Sequence, residues 1–126
     1  MPLNIRIEGD VVVLSNFARL MNDPRYVDAN ADVGDLLDQG LQSFILDLGG
    51  VREPGSSLFG LLITLTRRIR RRGGEAALAH PHPKMEEFLS MMRMEDYWDV
   101  FANVQEARAF FHRGSNGPRP EDEGSE

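Results

Sequence analysis

Residue types with chemical capacity gather at three places in this 126-residue chain. The first is Pro54-Gly55-Ser56-Ser57-Leu58-Phe59, where a loop meets an amphipathic run. A serine at a helix start sets its hydroxyl beside unpaired backbone N–H groups and the positive end of the helix dipole. A phosphate placed on it would be stabilised there. The same serine can also serve as a plain N-cap worth about 1 kcal/mol. The second place is His80-Pro81-His82-Pro83. On extended chain, side chains at i and i+2 point the same way, so two imidazoles can share a metal; the alternative is an ordinary surface connector. The third is the arginine run Arg67, Arg68, Arg70, Arg71 and Arg72. It reads either as a patch for phosphate or an acidic partner, or as a solvated helix C-terminus whose cations complement the dipole.

Most catalytic constellations are missing. There is no cysteine, which excludes disulfides, thiolate metal sites and a cysteine nucleophile. Neither a P-loop nor a G-x-G-x-x-G occurs, and Gly55-Ser56-Ser57-Leu58-Phe59-Gly60 misses the spacing of a nucleophile elbow. The acid pairs Glu86-Glu87 and Glu95-Asp96 are chain neighbours, which diverge on a helix. His112 is far along the chain from the other two histidines. The expectation is therefore a binding module rather than an enzyme, with no cofactor and no metal.

Charge narrows the partners. The net charge is −6, which argues against coating a nucleic acid. Residues 1–113 hold 13 basic and 16 acidic side chains, and residues 114–126 hold one arginine and four acids, so each part carries −3. The second part, GSNGPRPEDEGSE, has no large apolar residue and reads as a disordered acidic tail. The first residues lack a signal-peptide pattern, and the longest apolar run, residues 58–65, falls well short of the ~20 residues of a membrane span. A cytoplasmic protein without membrane insertion is expected.

The elements that must position these groups alternate. Leu3-Asn4-Ile5-Arg6-Ile7-Glu8 has the period of a half-buried strand, Gly9-Asp10 marks a hairpin, and Val11-Val12-Val13-Leu14 is its second strand. A helix follows over about 25–39, with Ala29, Val33, Leu36 and Leu37 on one face and Gly40 at its stop. Ser43 to Leu48 is a short buried strand. The next helix spans about 57–72, with Ser56 as its N-cap and Leu58, Leu61, Leu62, Leu65 and Ile69 as its stripe. Glu75 to Ala79 is a strand, Met85, Phe88, Leu89 and Met92 mark a short helix, residues 97–101 a last strand, and Val104, Ala107, Phe110 and Phe111 a final helix. Such alternation implies parallel strands covered by helices.

Three segments carry a family resemblance. Phe44-Ile45-Leu46-Asp47-Leu48-Gly49-Gly50-Val51, then Gly55-Ser56-Ser57-Leu58-Phe59-Gly60-Leu61-Leu62, then Arg72-Gly73-Gly74-Glu75-Ala76-Ala77-Leu78-Ala79 together resemble a STAS domain. That fold is shared by anti-sigma factor antagonists and the cytoplasmic ends of sulfate transporters. Its members typically read v-v-L-D-L-s-x-v-x-x-[IM]-D-S-S-G-L-G-x-L, a helix, then G-G-x-l-x-l. Gln105-Glu106-Ala107 is similar to their closing s-x-x-E-A, and the likeness spans about residues 3–112. The resemblance implies an α/β fold: one STAS-like domain over 1–113, a mixed central sheet of four to five strands, and about four helices packed mainly on one face.

It also implies a regulatory role. In bacterial antagonists of this family, an anti-sigma factor that is also a serine kinase phosphorylates the serine directly after the Asp. The unphosphorylated antagonist binds that factor and frees the sigma factor, and a phosphatase resets the cycle. Carried over, Ser56 is the phosphorylated serine, Ser57 is the alternative, and Pro54, Gly55, Ser56, Ser57, Leu58 and Phe59 meet the partner. The family's Asp is Gly55 here, and its Gly after the serines is Leu58. The first change removes a carboxylate from the switch, and the second adds bulk at the docking end. The alternative is thus a non-phosphorylated STAS accessory subunit of an ABC lipid-transport or stress-sensing assembly.

Overall fold

The computed structural model describes residues 3–20, 27–53 and 55–115. Five strands form one sheet in the order β1-β2-β3-β4-β5. β1 (Asn4–Glu8) pairs antiparallel with β2 (Val11–Ser15), Glu8 opposite Val11 across the Gly9-Asp10 turn. Gly9 sits at φ 67, which that tight turn needs and glycine adopts without strain. β3 (Ser43–Asp47), β4 (Glu75–Ala79) and β5 (Asp99–Phe101) then continue parallel to β2. The helices are a one-turn α1 (Phe17–Leu20), α2 (Val27–Asp38), α3 (Ser56–Arg71), α4 (Pro83–Met91) and α5 (Val104–Ser115).

Two core layers follow from the strand period. Alternate residues of a strand face opposite sides. Val12, Leu14, Phe44, Leu46, Ala76 and Leu78 face α2, α3 and α4 and share one buried cluster with them. Val11, Val13, Ile45, Ala77 and Ala79 face the other way and pack on Ala107 and Phe111 of α5. Parallel strands need crossovers of one hand, which sets α2, α3 and α4 on the same face. α5 follows the last strand and closes the opposite face. The fold is thus the mixed α/β sheet expected, with three long helices on one side and one on the other.

Helix stripes match the apolar spacing. α2 buries Ala29, Val33, Leu36 and Leu37, and α3 buries Leu58, Leu61, Leu62, Leu65 and Ile69. Each fully buried Leu or Ile contributes about 1.5–3 kcal/mol of transfer free energy. Beyond the stripe, α3 buries Thr66 completely. Its hydroxyl accepts a hydrogen bond from the Trp98 indole N–H at 2.8 Å, so a polar group inside the core is satisfied. Trp98 lies just before β5, whose strand is shorter than residues 97–101. α5 ends at Ser115, two residues into the segment read as a tail; residues 116–126 lie outside the described residues.

Candidate functional site

In a parallel sheet the loops that leave the strands converge at the carboxyl edge, where such folds hold their ligands. Here the β3–α3, β4–α4 and β5–α5 loops meet there. Asp47 ends β3 and ties two of them: its Oδ1 accepts from the Gly49 N–H at 3.0 Å and lies 2.8 Å from His80 Nδ1. His80 sits at φ 55, in the left-handed region that non-glycine residues seldom adopt. Its N–H donates to Phe101 O at 3.2 Å, carrying the strand pairing one residue past β4. Lys84 Nζ reaches Glu53 Oε1 at 2.8 Å and joins α4 to the β3–α3 loop. That hydrogen bond, and then the opposing charge, hold the Glu53 carboxyl below its usual range and push the Lys84 ammonium above its own. Between these loops lies an open groove of about 500 Å³, bordered by Gly49, Arg52, His80, His82 and Ala102 among others.

Ser56 and Ser57 stand at this edge, and both are exposed. The local backbone differs from the expected Ser56 cap. Gly55 takes the N-cap position with φ −139 and ψ 164, which makes Ser56 the first helical residue. The cap conformation falls one residue earlier because the Gly55 carbonyl already accepts the first helical bond, from the Phe59 N–H at 2.9 Å. Gly55 has no side-chain acceptor, so the first-turn N–H groups receive no side-chain cap. The first turn also carries no acidic residue. The helix start is therefore a positive end of a 16-residue helix with two hydroxyls upon it.

The other expected contact residues separate. Pro54 lies outside the described residues. Leu58 and Phe59 are 1% and 5% exposed and belong to the core, because the helix turns their side chains inward with Leu61 and Leu62. Phe59 packs edge-on against Phe88 at 5.0 Å and Trp98 at 5.9 Å between ring centroids. Among the described residues, the surface of the motif therefore reduces to Gly55, Ser56 and Ser57. Leu58 anchors the helix start instead of projecting from it.

The histidines do not converge on one atom. His80 Nδ1 faces Asp47, while His82 is the N-cap of α4, its Nδ1 accepting from the Lys84 N–H at 3.1 Å. Pro83 follows at the first helical position, where its missing N–H costs nothing, and that His-Pro step was the available signal for the cap. Among the described residues, no group of three or more His, Asp or Glu is placed to hold a metal ion. No helix there is long and apolar enough to cross a membrane.

The arginine run divides. Arg70 Nε meets Glu75 at 2.6 Å, its Nη2 donates to Tyr97 O at 2.5 Å, and its guanidinium lies 4.6 Å from the Tyr97 ring centre. Arg72 Nη1 pairs with Asp38 at 3.0 Å. These two clamp α3 to β4, to the segment before β5 and to the end of α2. Arg67, Arg68 and Arg71 are exposed.

Comparison with known proteins agrees with this architecture. A family model described as STAS domain matches residues 9–107. A candidate anti-sigma factor antagonist of Thermotoga maritima is 24% identical over 81% of this chain and 90% of its own length. The solved structure of an anti-sigma-factor antagonist (STAS) domain protein from Planctomyces limnophilus is 27% identical, with a TM-score of 0.67 over 83% of this chain and 93% of that one. The Bacillus cell fate determinant SpoIIAA, solved in its phosphorylated form, is 17% identical with a TM-score of 0.63 over 86% and 98% of the two chains, and shares the fold. On the sheet order, the helix that follows β3, and a family model spanning the sheet and its covering helices, the chain belongs to the STAS domain family.

Proposed function

We propose that this chain is a regulatory protein-binding module of the anti-sigma factor antagonist kind. It docks an anti-sigma factor with serine-kinase activity through Gly55, Ser56, Ser57 and the adjoining β3–α3 loop. Phosphorylation of Ser56, with Ser57 as the alternative, releases that partner, and a serine phosphatase restores binding. The carrying observation is the exposed Ser56 hydroxyl on an acid-free, side-chain-uncapped helix start. A phosphate there adds about −1.5 to −2 charge where the helix favours it and where a docked surface would meet it. The relatives described as anti-sigma factor antagonists support this class of partner.

The test combines the full chain with the serine-kinase anti-sigma factor of the same organism, with and without ATP. The complex forms without ATP. With ATP, intact mass shows one added phosphate, the complex dissociates, and Ser56→Ala blocks both changes. Phosphate on a residue other than Ser56 or Ser57 overturns the switch. Absence of binding in either condition overturns the docking reading. Stable binding with no phosphate added supports the accessory-subunit alternative, to which Gly55 in the family's Asp position points.

A further inference from the structure

Opposite the Ser56 end, at the amino edge of the parallel strands, α3 finishes in its arginine run. Cations suit a helix C-terminus, but Arg70 and Arg72 already supply them, tied to Glu75, Tyr97 and Asp38. Arg67, Arg68 and Arg71 are exposed, and among the described residues no hydrogen bond or ion pair engages their guanidinium groups. Arg67 and Arg71 stand at i and i+4, as do Arg68 and Arg72, and like charges at that spacing repel. An anion placed among them would relieve that repulsion.

α2 holds a seat for one of the three. Gly34 lies inside α2, where glycine is the least favourable residue apart from proline. It is buried, and it is not among the glycines of positive φ, so no backbone conformation demands it. The Arg68 guanidinium fills the space of the missing side chain: an added Cβ would stand 2.5 Å from its Nη2, 3.0 Å from Cζ and 3.2 Å from Nε. Arg68 is thus laid across the seam of α2 and α3, with no carboxylate among the described residues to hold it there. A guanidinium fixed in advance loses less freedom on binding and keeps its donors in a rigid fork.

The chemistry of the fork selects the ligand. Guanidinium groups match carboxylates bidentately. Arg67 and Arg71 are separated by about 6 Å along the helix axis. Alternate side chains on an extended chain are roughly 6–7 Å apart, so acids at that spacing can meet both. Asp35 and Asp38 of α2 bound the patch on one side, and Arg72 engages Asp38. A nucleic acid or an anionic membrane would bring a large negative field against a chain of net charge −6, whereas a short acidic segment meets the local patch alone.

We infer that Arg67, Arg68 and Arg71 form a docking surface for an acidic segment of a protein partner, and that Gly34 seats the Arg68 guanidinium for it. The surface begins roughly 17 Å along the helix axis from Ser56 and stands independently of the proposed switch.

The test titrates the full chain with oligo-glutamate, followed by amide resonances and calorimetry. Oligo-glutamate binds saturably, shifts the amides of Arg67, Arg68, Arg71 and Gly34, and binds more weakly as salt rises. The Arg67→Gln, Arg71→Gln double variant binds about tenfold more weakly, the scale of two exposed charge pairs, at an unchanged or higher melting temperature. Gly34→Ala keeps every charge and favours the helix, yet displaces Arg68 and binds about threefold more weakly. Oligo-deoxythymidine, phosphatidylserine vesicles and inorganic phosphate all bind more weakly than the peptide at equal ionic strength. No binding, shifts centred elsewhere, parental affinity in either variant, or tighter binding of any of the other three probes overturns the inference. A fall in the melting temperature of the double variant would assign these arginines to the fold and overturn it as well.

Discussion

At its C-terminal end, α3 closes in a Schellman turn: the Gly73 N–H donates to Arg70 O at 3.1 Å and the Gly74 N–H to Ile69 O at 3.0 Å. Gly74 is required there, because a Cβ would stand 2.5 Å from the Gln42 backbone oxygen. Arg70, Glu75 and Tyr97 add an ion pair, a carbonyl bond and a cation–π contact. At its N-terminal end the same helix has a glycine cap, two exposed serines and no side-chain acceptor. The C-terminal end is held by polar partners, while the N-terminal end is held by its inward side chains, Leu58 and Phe59, and receives no side-chain cap. The outward serines are not among the groups that anchor the helix, so a charge change at Ser56 can alter binding without unfolding the domain.

Substitutions along α3 test this contrast. Trp98→Ala should have the largest effect, since it removes a 3% exposed side chain that packs on Phe59 and Tyr97 and bonds Thr66. A loss of about 3–5 kcal/mol is expected, read as a lower denaturation midpoint at unchanged m-value. Thr66→Val comes next. It keeps the shape but strands the buried indole N–H, at a cost of about 1–3 kcal/mol. A Thr66→Val chain as stable as the parent would remove this hydrogen bond from the anchors of the helix. Ser56→Asp belongs to the open end. It should leave stability within about 0.5 kcal/mol, or raise it slightly, because an acid in the first turn suits the dipole. The same substitution should sharply weaken the anti-sigma factor complex by calorimetry. A large fall in stability would show that the helix start is as structural as its end.

The fold was legible where periodicity was strong. The Gly9-Asp10 hairpin, the α2 and α3 stripes and the Gly73-Gly74 stop all follow from local spacing. What escaped depended on partners distant in the chain. Thr66 reads as a polar interruption of a stripe until Trp98, 32 positions away, supplies its donor. Asp47 and His80 meet only because adjacent parallel strands end together. The N-cap was displaced by one residue, since either Gly55 or Ser56 can adopt the extended conformation of a cap. At the candidate site the serines were identifiable from their motif, but the inward turn of Leu58 and Phe59 depends on helix phase and became visible only once the first helical residue was placed.

The smallest effects separate two acids whose pKa values shift in opposite directions, and neither touches the anchors of α3. Asp32 lies on α2, where partial burial, then Asp28 and then Asp35, raise its pKa. Its ionised form is thus disfavoured in the folded state, a cost present above the folded pKa and gone below the unfolded value of about 3.9. Asp32→Asn should raise the melting point slightly at pH 7, in keeping with like-charge helix pairs of about 0.2–0.5 kcal/mol, and leave it unchanged near pH 3. Glu53 is the reverse case, its pKa lowered by Lys84. Its contribution is present above the unfolded carboxylate value and is lost as pH falls through the lower folded one. The raised pKa of Lys84 keeps the ammonium charged until the pH passes its own folded value. Glu53→Gln should therefore lower the melting point only between the carboxylate and lysine ranges, and only marginally, since both groups are solvent-exposed. Melting curves of the two variants across pH should move apart in opposite directions near neutrality and meet the parent curve in acid. A change in the same direction for both would mean that backbone effects at those positions, rather than charge, set their contribution.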